Sequence, residues 1–179
     1  MAGGVDDLLD QWFAIVVFEG ENVAGDLNGD GRLDVVVVDK KFGRLVWFAN
    51  TERPADGPWR RYVITTKSPR VYNVVLGDFD GDGDLDLYIG TENAPCQLFQ
   101  NDGTGHFVDV AGQAGVQDGG MAKGVASGDY DGDGDTDLYV SNLAGDNRLF
   151  RNNGAGVFTN VAEELGATGP LRGFPTWFW

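Results

Sequence analysis

One cysteine and one histidine are all that the 179 residues contain of either type. With Cys96 alone there can be no internal disulfide and no thiolate metal cluster, and a structural thiol is its simplest role. His106 lies in the turn-like stretch GTGHF, where the residue 51 positions later is Val157, so it reads as a strand or turn residue rather than a catalytic base. Cations are scarce as well. Thirteen Lys and Arg against 28 Asp and Glu leave a net charge of −15, a balance that argues against nucleic acid or an anionic membrane surface as partner. No apolar run approaches the length of a membrane span, so no membrane insertion is expected. The opening MAGGVDDLLD lacks the basic start and apolar core of a signal peptide. No G-x-S-x-G, Walker or G-x-G-x-x-G motif occurs. Nothing in the sequence assembles into a catalytic constellation, and the chain reads as a non-enzyme.

What the sequence has in quantity is glycine and aspartate, arranged together. A nine-residue acidic loop occurs three times: DLNGDGRLD from Asp26, DFDGDGDLD from Asp78 and DYDGDGDTD from Asp129, with starts 52 and 51 residues apart. Calcium takes six to eight oxygen ligands, and carboxylates at alternating positions supply them when glycine lets the backbone wrap the ion. In the second loop Asp78, Asp80 and Asp82 fall at positions 1, 3 and 5. Gly83 turns the chain at position 6, the Asp84 carbonyl serves at 7, and Asp86 serves at 9. The corresponding sets are Asp26, Asn28, Asp30, Arg32 (through its carbonyl) and Asp34, then Asp129, Asp131, Asp133, Asp135 (through its carbonyl) and Asp137. Two carboxylates about 5 Å apart repel by roughly 3 kcal/mol at an effective dielectric near 20. A single such loop is ordinary Asp-Gly turn chemistry; three with one internal spacing point to three Ca²⁺ sites. The first should be the weakest, because Asn28 removes a carboxylate and Arg32 adds a cation.

An EF-hand opens with the same D-x-D-x-D-G but needs a bidentate Glu at position 12 and flanking helices. Position 12 here is Val37, Ile89 or Val140, each inside an apolar run of β-branched and aromatic residues. Position 9 must close the site instead, and the chain passes directly into a strand.

The remainder of each unit describes the scaffold. LFQNDGTGHFVDVAGQAGV from Leu98 returns as LFRNNGAGVFTNVAEELGA from Leu149, with nine of nineteen positions identical. Strand, glycine-rich turn and strand make a hairpin, so a unit contributes four short strands. In the middle unit they fall near Tyr72–Gly77, Leu87–Gly90, Gln97–Gln100 and His106–Val110; in the first, VWFAN from Val46 and WRRYVI from Trp59 supply the third and fourth. Four strands on a period near 50 read as β-propeller blades, an all-β fold. AGQAG and AEELG have room for a helical turn or two after the fourth strand. Trp47, Trp59, Phe99, Phe107, Phe150 and Phe158 recur at blade positions and read as core between blades, with Trp59 also suited to a sugar platform.

These loops and their period resemble the FG-GAP/VCBS repeats of integrin α-chain heads and bacterial surface proteins. The last two units, with GVASGDYDGDGDTDLYV and NRLFRNNGAGVFTNVAEELG, resemble the ASPIC/UnbV group, which includes cartilage acidic protein; the first unit is closer to a general VCBS repeat. The resemblance spans about residues 12–179. It implies calcium ligation by the residues named above and a ring that relatives commonly close with seven blades, but no activity.

The expected organisation is an open piece of such a ring: residues 1–20 as the last strand of a preceding blade (Trp12–Phe18), blades at 21–68, 69–120 and 121–170, and 171–179 as the first strand of a further blade. Phe174, Trp177, Phe178 and Trp179 would then form an apolar edge prone to self-association. An extracellular, cell-surface or periplasmic binding or adhesion scaffold with structural Ca²⁺ is expected. The alternative is the non-catalytic propeller portion of a secreted polysaccharide lyase or hydrolase. Antiparallel strands put the acidic loops on one face. The opposite face collects Lys40, Lys41, Arg44, Lys67, Arg70, Lys123, Arg148 and Arg172 against Asp39, Glu92, Asp118 and Asp146; ordinary solvated loop charge accounts for such a set, and the sharper reading is a face for an acidic polysaccharide or protein ligand.

Overall fold

A computed structural model describes residues 22–40, 42–52, 59–67 and 70–169. The strand expected at Trp12–Phe18, the apolar segment at 171–179, Lys41 and Arg172 lie outside these residues. Within them the chain forms three four-stranded antiparallel sheets, each wound in sequence order. The first contains β1 (Val23–Gly25), β2 (Asp34–Asp39), β3 (Arg44–Ala49) and β4 (Arg60–Thr65). The second contains β5 (Val71–Gly77), β6 (Asp86–Thr91), β7 (Gln97–Asn101) and β8 (Phe107–Asp109), followed by a single turn of helix, α1 (Ala111–Ala114). The third contains β9 (Ala122–Gly128), β10 (Asp137–Asn142), β11 (Arg148–Asn152) and β12 (Phe158–Asn160). The second copy of the helical signal, AEELG, forms turns rather than a helix. No helix among the described residues is long and apolar enough to cross a membrane.

The core lies between sheets, not within them. Successive side chains on a strand point to opposite faces, and β6 uses both. Leu87 and Ile89 join Leu27, Val36, Leu45 and Trp47 between the first two sheets. Tyr88, from the same strand, joins Leu138, Val140, Phe150 and Phe158 between the second and third. All six residues of β6 are buried as a result. Trp47, Phe99, Phe150 and Phe158 occupy the inter-sheet core, as their recurrence predicts. The inner strands β1, β5 and β9 lie next to one another, and the whole is a partial β-propeller.

Candidate metal centre

Each acidic loop joins the first strand of a sheet to the second, so the three loops emerge on one face. The glycine at position 6 makes the turn possible: Gly31, Gly83 and Gly134 have φ of 82°, 93° and 96°, a region that a side chain makes costly. A Cβ there would touch nothing. The requirement is one of backbone conformation, not of space.

The loop amides converge on the carboxylates. Asp78 accepts from the N–H of Gly81 at 2.8 Å on one oxygen and of Gly83 at 3.0 Å on the other. Asp129 accepts likewise from Gly132 (2.7 Å) and Gly134 (3.0 Å), and Asp26 from Asp30 (3.1 Å) and Gly31 (2.7 Å). At position 5, Asp30, Asp82 and Asp133 accept from the backbone N–H of position 7 at 3.0, 2.9 and 2.9 Å. The carboxylates are thus gathered by the chain itself. Oxygens of Asp78, Asp80 and Asp82 come within 4.8 Å of one another, as do those of Asp129, Asp131 and Asp137. Between them the two groups use positions 1, 3, 5 and 9, the four expected to ligate. The Asp135 side chain at position 7 turns away, toward the hairpin after its sheet's third strand, where a Cβ on Gly154 would sit 2.7 Å from its Oδ2; Asp84 lies against Gly103 in the same way. That orientation suits the main-chain role assigned to position 7. In the first loop the Arg32 guanidinium binds the Asp30 carboxylate, and its Nε donates to the Asn50 carbonyl at 3.3 Å.

Position 9 has a second role that spacing did not announce. Asp34, Asp86 and Asp137 are buried. One oxygen of each accepts from the N–H at loop position 2 (Leu27, Phe79, Tyr130), at 3.0 Å in all three cases. The other accepts from the residue ending or following the third strand: Asn50 at 2.8 Å, Asn101 at 2.9 Å and Asn152 at 2.8 Å. Each of these carboxylates therefore joins the loop to the adjacent end of the third strand. Burial drives their pKa upward, to about 7 for Asp86, against the pull of those two hydrogen bonds, and other loop carboxylates push the same way. Burial also raises Asp80. A crowded, part-buried set of hard oxygen donors with elevated proton affinity is the chemistry that a divalent cation relieves, so the residues fit Ca²⁺.

The asparagines were not singled out by sequence reasoning, although the signal was present in the recurring WFAN, LFQN and LFRN. Cys96 is buried and its thiol is pushed up by that burial, as befits a packing residue. His106 is exposed on the β7–β8 turn and pairs with Asp102 at 3.4 Å.

On the opposite face the cations are largely matched. Arg44 pairs with Asp39 at 3.3 Å, Arg148 with the buried Asp118 at 3.3 Å, and both Arg70 (3.5 Å) and Lys123 with Glu92. Lys123 also caps the Tyr72 ring at 3.9 Å. Between the first two sheets this face opens into a cleft of about 390 Å³ lined by Asp39, Lys40, Arg44, Arg70, Tyr72 and Glu92.

Comparison with known proteins agrees with this architecture. The chain is 30% identical over 147 residues to cartilage acidic protein 1 of Mus musculus, covering 75% of this chain and 23% of that protein. It is 35% identical over 104 residues to the Xenopus tropicalis protein of that name, covering 55% of this chain and 16% of the relative. It is also 34% identical over 65 residues to the T-cell immunomodulatory protein of Mus musculus, covering 36% of this chain and 11% of that one. The chain thus spans less than a quarter of the length of these relatives. Among solved structures, an Agrocybe aegerita lectin, described as recognising non-reducing terminal N-acetylglucosamine, superposes with a TM-score of 0.50 at 20% identity, over 77% of this chain and 36% of the lectin. The FG-GAP-like repeat model matches at residues 26–89, 78–140 and 129–178; with three four-stranded sheets, each carrying an acidic loop between its first two strands, the chain belongs to the FG-GAP-like repeat family.

Proposed function

We propose that this chain is a calcium-stabilised binding scaffold of the extracellular type, with its ligand on the face opposite the acidic loops. The observation that carries the reading is the convergence of loop carboxylates in the second and third sheets, at motif positions 1, 3 and 5 in one and 1, 3 and 9 in the other. Ca²⁺ would be held by Asp78, Asp80, Asp82 and Asp86 in the second loop, by Asp129, Asp131, Asp133 and Asp137 in the third, and by Asp26, Asn28, Asp30 and Asp34 in the first. The carbonyls of Arg32, Asp84 and Asp135 would complete the sets. The ion supplies charge neutralisation and a cross-link between the first two strands of each sheet. Three ions would add six positive charges and bring the net from −15 to about −9. Binding to the folded state alone stabilises it by mass action.

Relatives named for cartilage and for immune modulation support an extracellular setting, where millimolar calcium suits sites of modest affinity. A neighbour of the same fold described as a sugar-recognising lectin supports binding rather than catalysis. The cleft between the first two sheets, rimmed by Lys40, Arg44 and Arg70, suits an acidic polysaccharide or an acidic protein surface. Chelator-stripped protein should take up calcium in calorimetry and melt at a higher temperature in millimolar calcium. An unchanged melting temperature would refute the structural role of the metal.

A further inference from the structure

Two buried asparagines connect the first and second acidic loops, each to the sheet that follows it. Asn101, the last residue of β7, is 3% exposed, and Asn152, the last of β11, is 4% exposed. The Asn101 side-chain amide donates to the Leu27 carbonyl at 2.9 Å, 74 residues upstream, at position 2 of the first sheet's loop. It also donates to the Leu85 carbonyl at 3.2 Å, at position 8 of its own sheet's loop. Its Oδ1 accepts from Gly105 N–H at 3.1 Å in the adjoining hairpin, while its backbone N–H goes to Asp86. Asn152 repeats the pattern one unit on. Its amide donates to the Phe79 carbonyl at 2.8 Å, 73 residues upstream in the second loop, and to the Thr136 carbonyl at 2.9 Å in its own. Its Oδ1 accepts from Asn153 N–H (2.9 Å) and Gly154 N–H (3.2 Å).

One side chain therefore spans two metal loops and the hairpin that separates them. No other amino acid supplies two donors and one acceptor on so short a stem. With every polar atom of the amide buried and matched, a change in either loop leaves a partner unsatisfied, and such a loss is costly. The hairpin is seated directly on the preceding loop. A Cβ on Gly81, at position 4 of the second loop, would stand 2.9 Å from the Gly154 carbonyl oxygen, and one on Gly156 would stand 3.2 Å from Asp80 Cβ. Leu27 and Phe79, whose carbonyls receive the asparagine, send their own N–H groups to Asp34 and Asp86 at position 9 of the same loops. The peptide units on either side of each position-2 residue are thus tied, one to a ligating carboxylate and the other to the next sheet.

We infer that Asn101 and Asn152 are positioning residues that make metal binding in one loop and docking of the following sheet mutually dependent. The inference rests on the calcium reading above and extends it from isolated sites to an ordered array. Calcium that orders the first loop fixes the Leu27 carbonyl and so seats the second sheet; a seated second sheet raises the affinity of the first loop by the same factor.

The test uses the full chain, calcium calorimetry, and hydrogen exchange at Leu27–Gly31 and at Asp102–Gly105. In the unaltered chain, calcium should slow exchange in both segments together. Asn101→Ala should weaken calcium binding at the first loop about fivefold, the loss expected for one buried hydrogen bond, and uncouple protection of the hairpin from calcium. Asn152→Ala should do the same to the second loop and the third sheet, which keeps the inference testable if one variant folds poorly. Trp47→Phe is the control. It removes the Trp47 Nε1 bond to the Gly105 carbonyl (3.2 Å), which joins the same two sheets through no loop carbonyl, and it keeps an aromatic ring in the core that Trp47 shares with Leu27, so first-loop affinity should stay unchanged. First-loop binding that is unaltered in Asn101→Ala, or equally weakened in Trp47→Phe, overturns the latch while the calcium reading stands. Failure of the unaltered chain to bind calcium overturns both.

Discussion

At the scale of the residue, the first loop differs from the other two in the charge that it would offer a cation. Asn28 replaces a carboxylate, and the Arg32 guanidinium already occupies the Asp30 carboxylate. Asn28→Asp should therefore tighten the first site by up to about tenfold in calorimetry, since fewer anionic ligands mean weaker Ca²⁺ binding. An unchanged or weaker site would contradict the account. Asp86 predicts a pH response. Its carboxyl is raised from 3.8 to about 7 by burial. Between those values the native metal-free protein keeps a proton that the unfolded chain has released, so stability falls as pH rises from about 4 to 7 and levels off above. Asp34 and Asp137 are shifted in the same direction. The metal-free protein should melt higher near pH 5 than near pH 8, and saturating calcium should reverse the order, because the ion binds ionised carboxylates. A metal-free melting temperature that rises with pH would rule this out. The carboxylates that the second and third loops gather were legible in the sequence because the loop motif repeats with a fixed spacing. The second role of Asp34, Asp86 and Asp137 was not, since their partners are backbone N–H groups, one of them 15 or 16 residues away, and an amide leaves no mark on residue type.

At the scale of the element, loop and hairpin are built around glycines for two different reasons. Gly83 needs its φ of 93° and has open space around it, so Gly83→Ala should cost roughly 1–2 kcal/mol through backbone strain alone. Chemical denaturation would measure this, and a cost near zero would mean the turn has another low-energy form. Gly103 and Gly154 face a carboxylate as well as requiring positive φ. The inner strands were readable from their apolar runs, and β5, β6 and β7 lie within one or two residues of the expected bounds. The outer strands β8 and β12 are three residues each. β8 nevertheless lies within one residue at each end of the expected His106–Val110, because the glycine-rich turn before it marks the strand where the exposed Val108 breaks the apolar pattern. The inter-sheet packing of Tyr88 against one neighbour and of Leu87 and Ile89 against the other follows from period-2 geometry, but which neighbour receives which face is set by twist and closure, invisible in a linear pattern.

At the scale of the whole molecule, the two faces carry different chemistry. The acidic loops gather on one. On the other, the excess of cations counted in the sequence is reduced by pairing with Asp39, Glu92 and Asp118, which leaves a patterned surface rather than a uniformly basic one. Arg70, whose side chain is 78% exposed, is the group best placed to meet an anion. Combined reversal at Lys40, Lys67 and Arg70 to Glu should abolish binding to an array of acidic polysaccharides, while Arg32→Glu, on the loop face, should leave it intact. Equal effects from both would show that the opposite face is not the binding face. The location of the core carries a consequence for ancestry. Because the apolar interior lies between sheets, and each joint is made by the same asparagine, hairpin and loop, a duplicated unit of 51 or 52 residues arrives with both of its mating surfaces already cut to fit. Such an array can grow or shrink by whole units at little cost to its neighbours, whereas half a unit would strand an asparagine without its loop; inheritance of this architecture should proceed in integers.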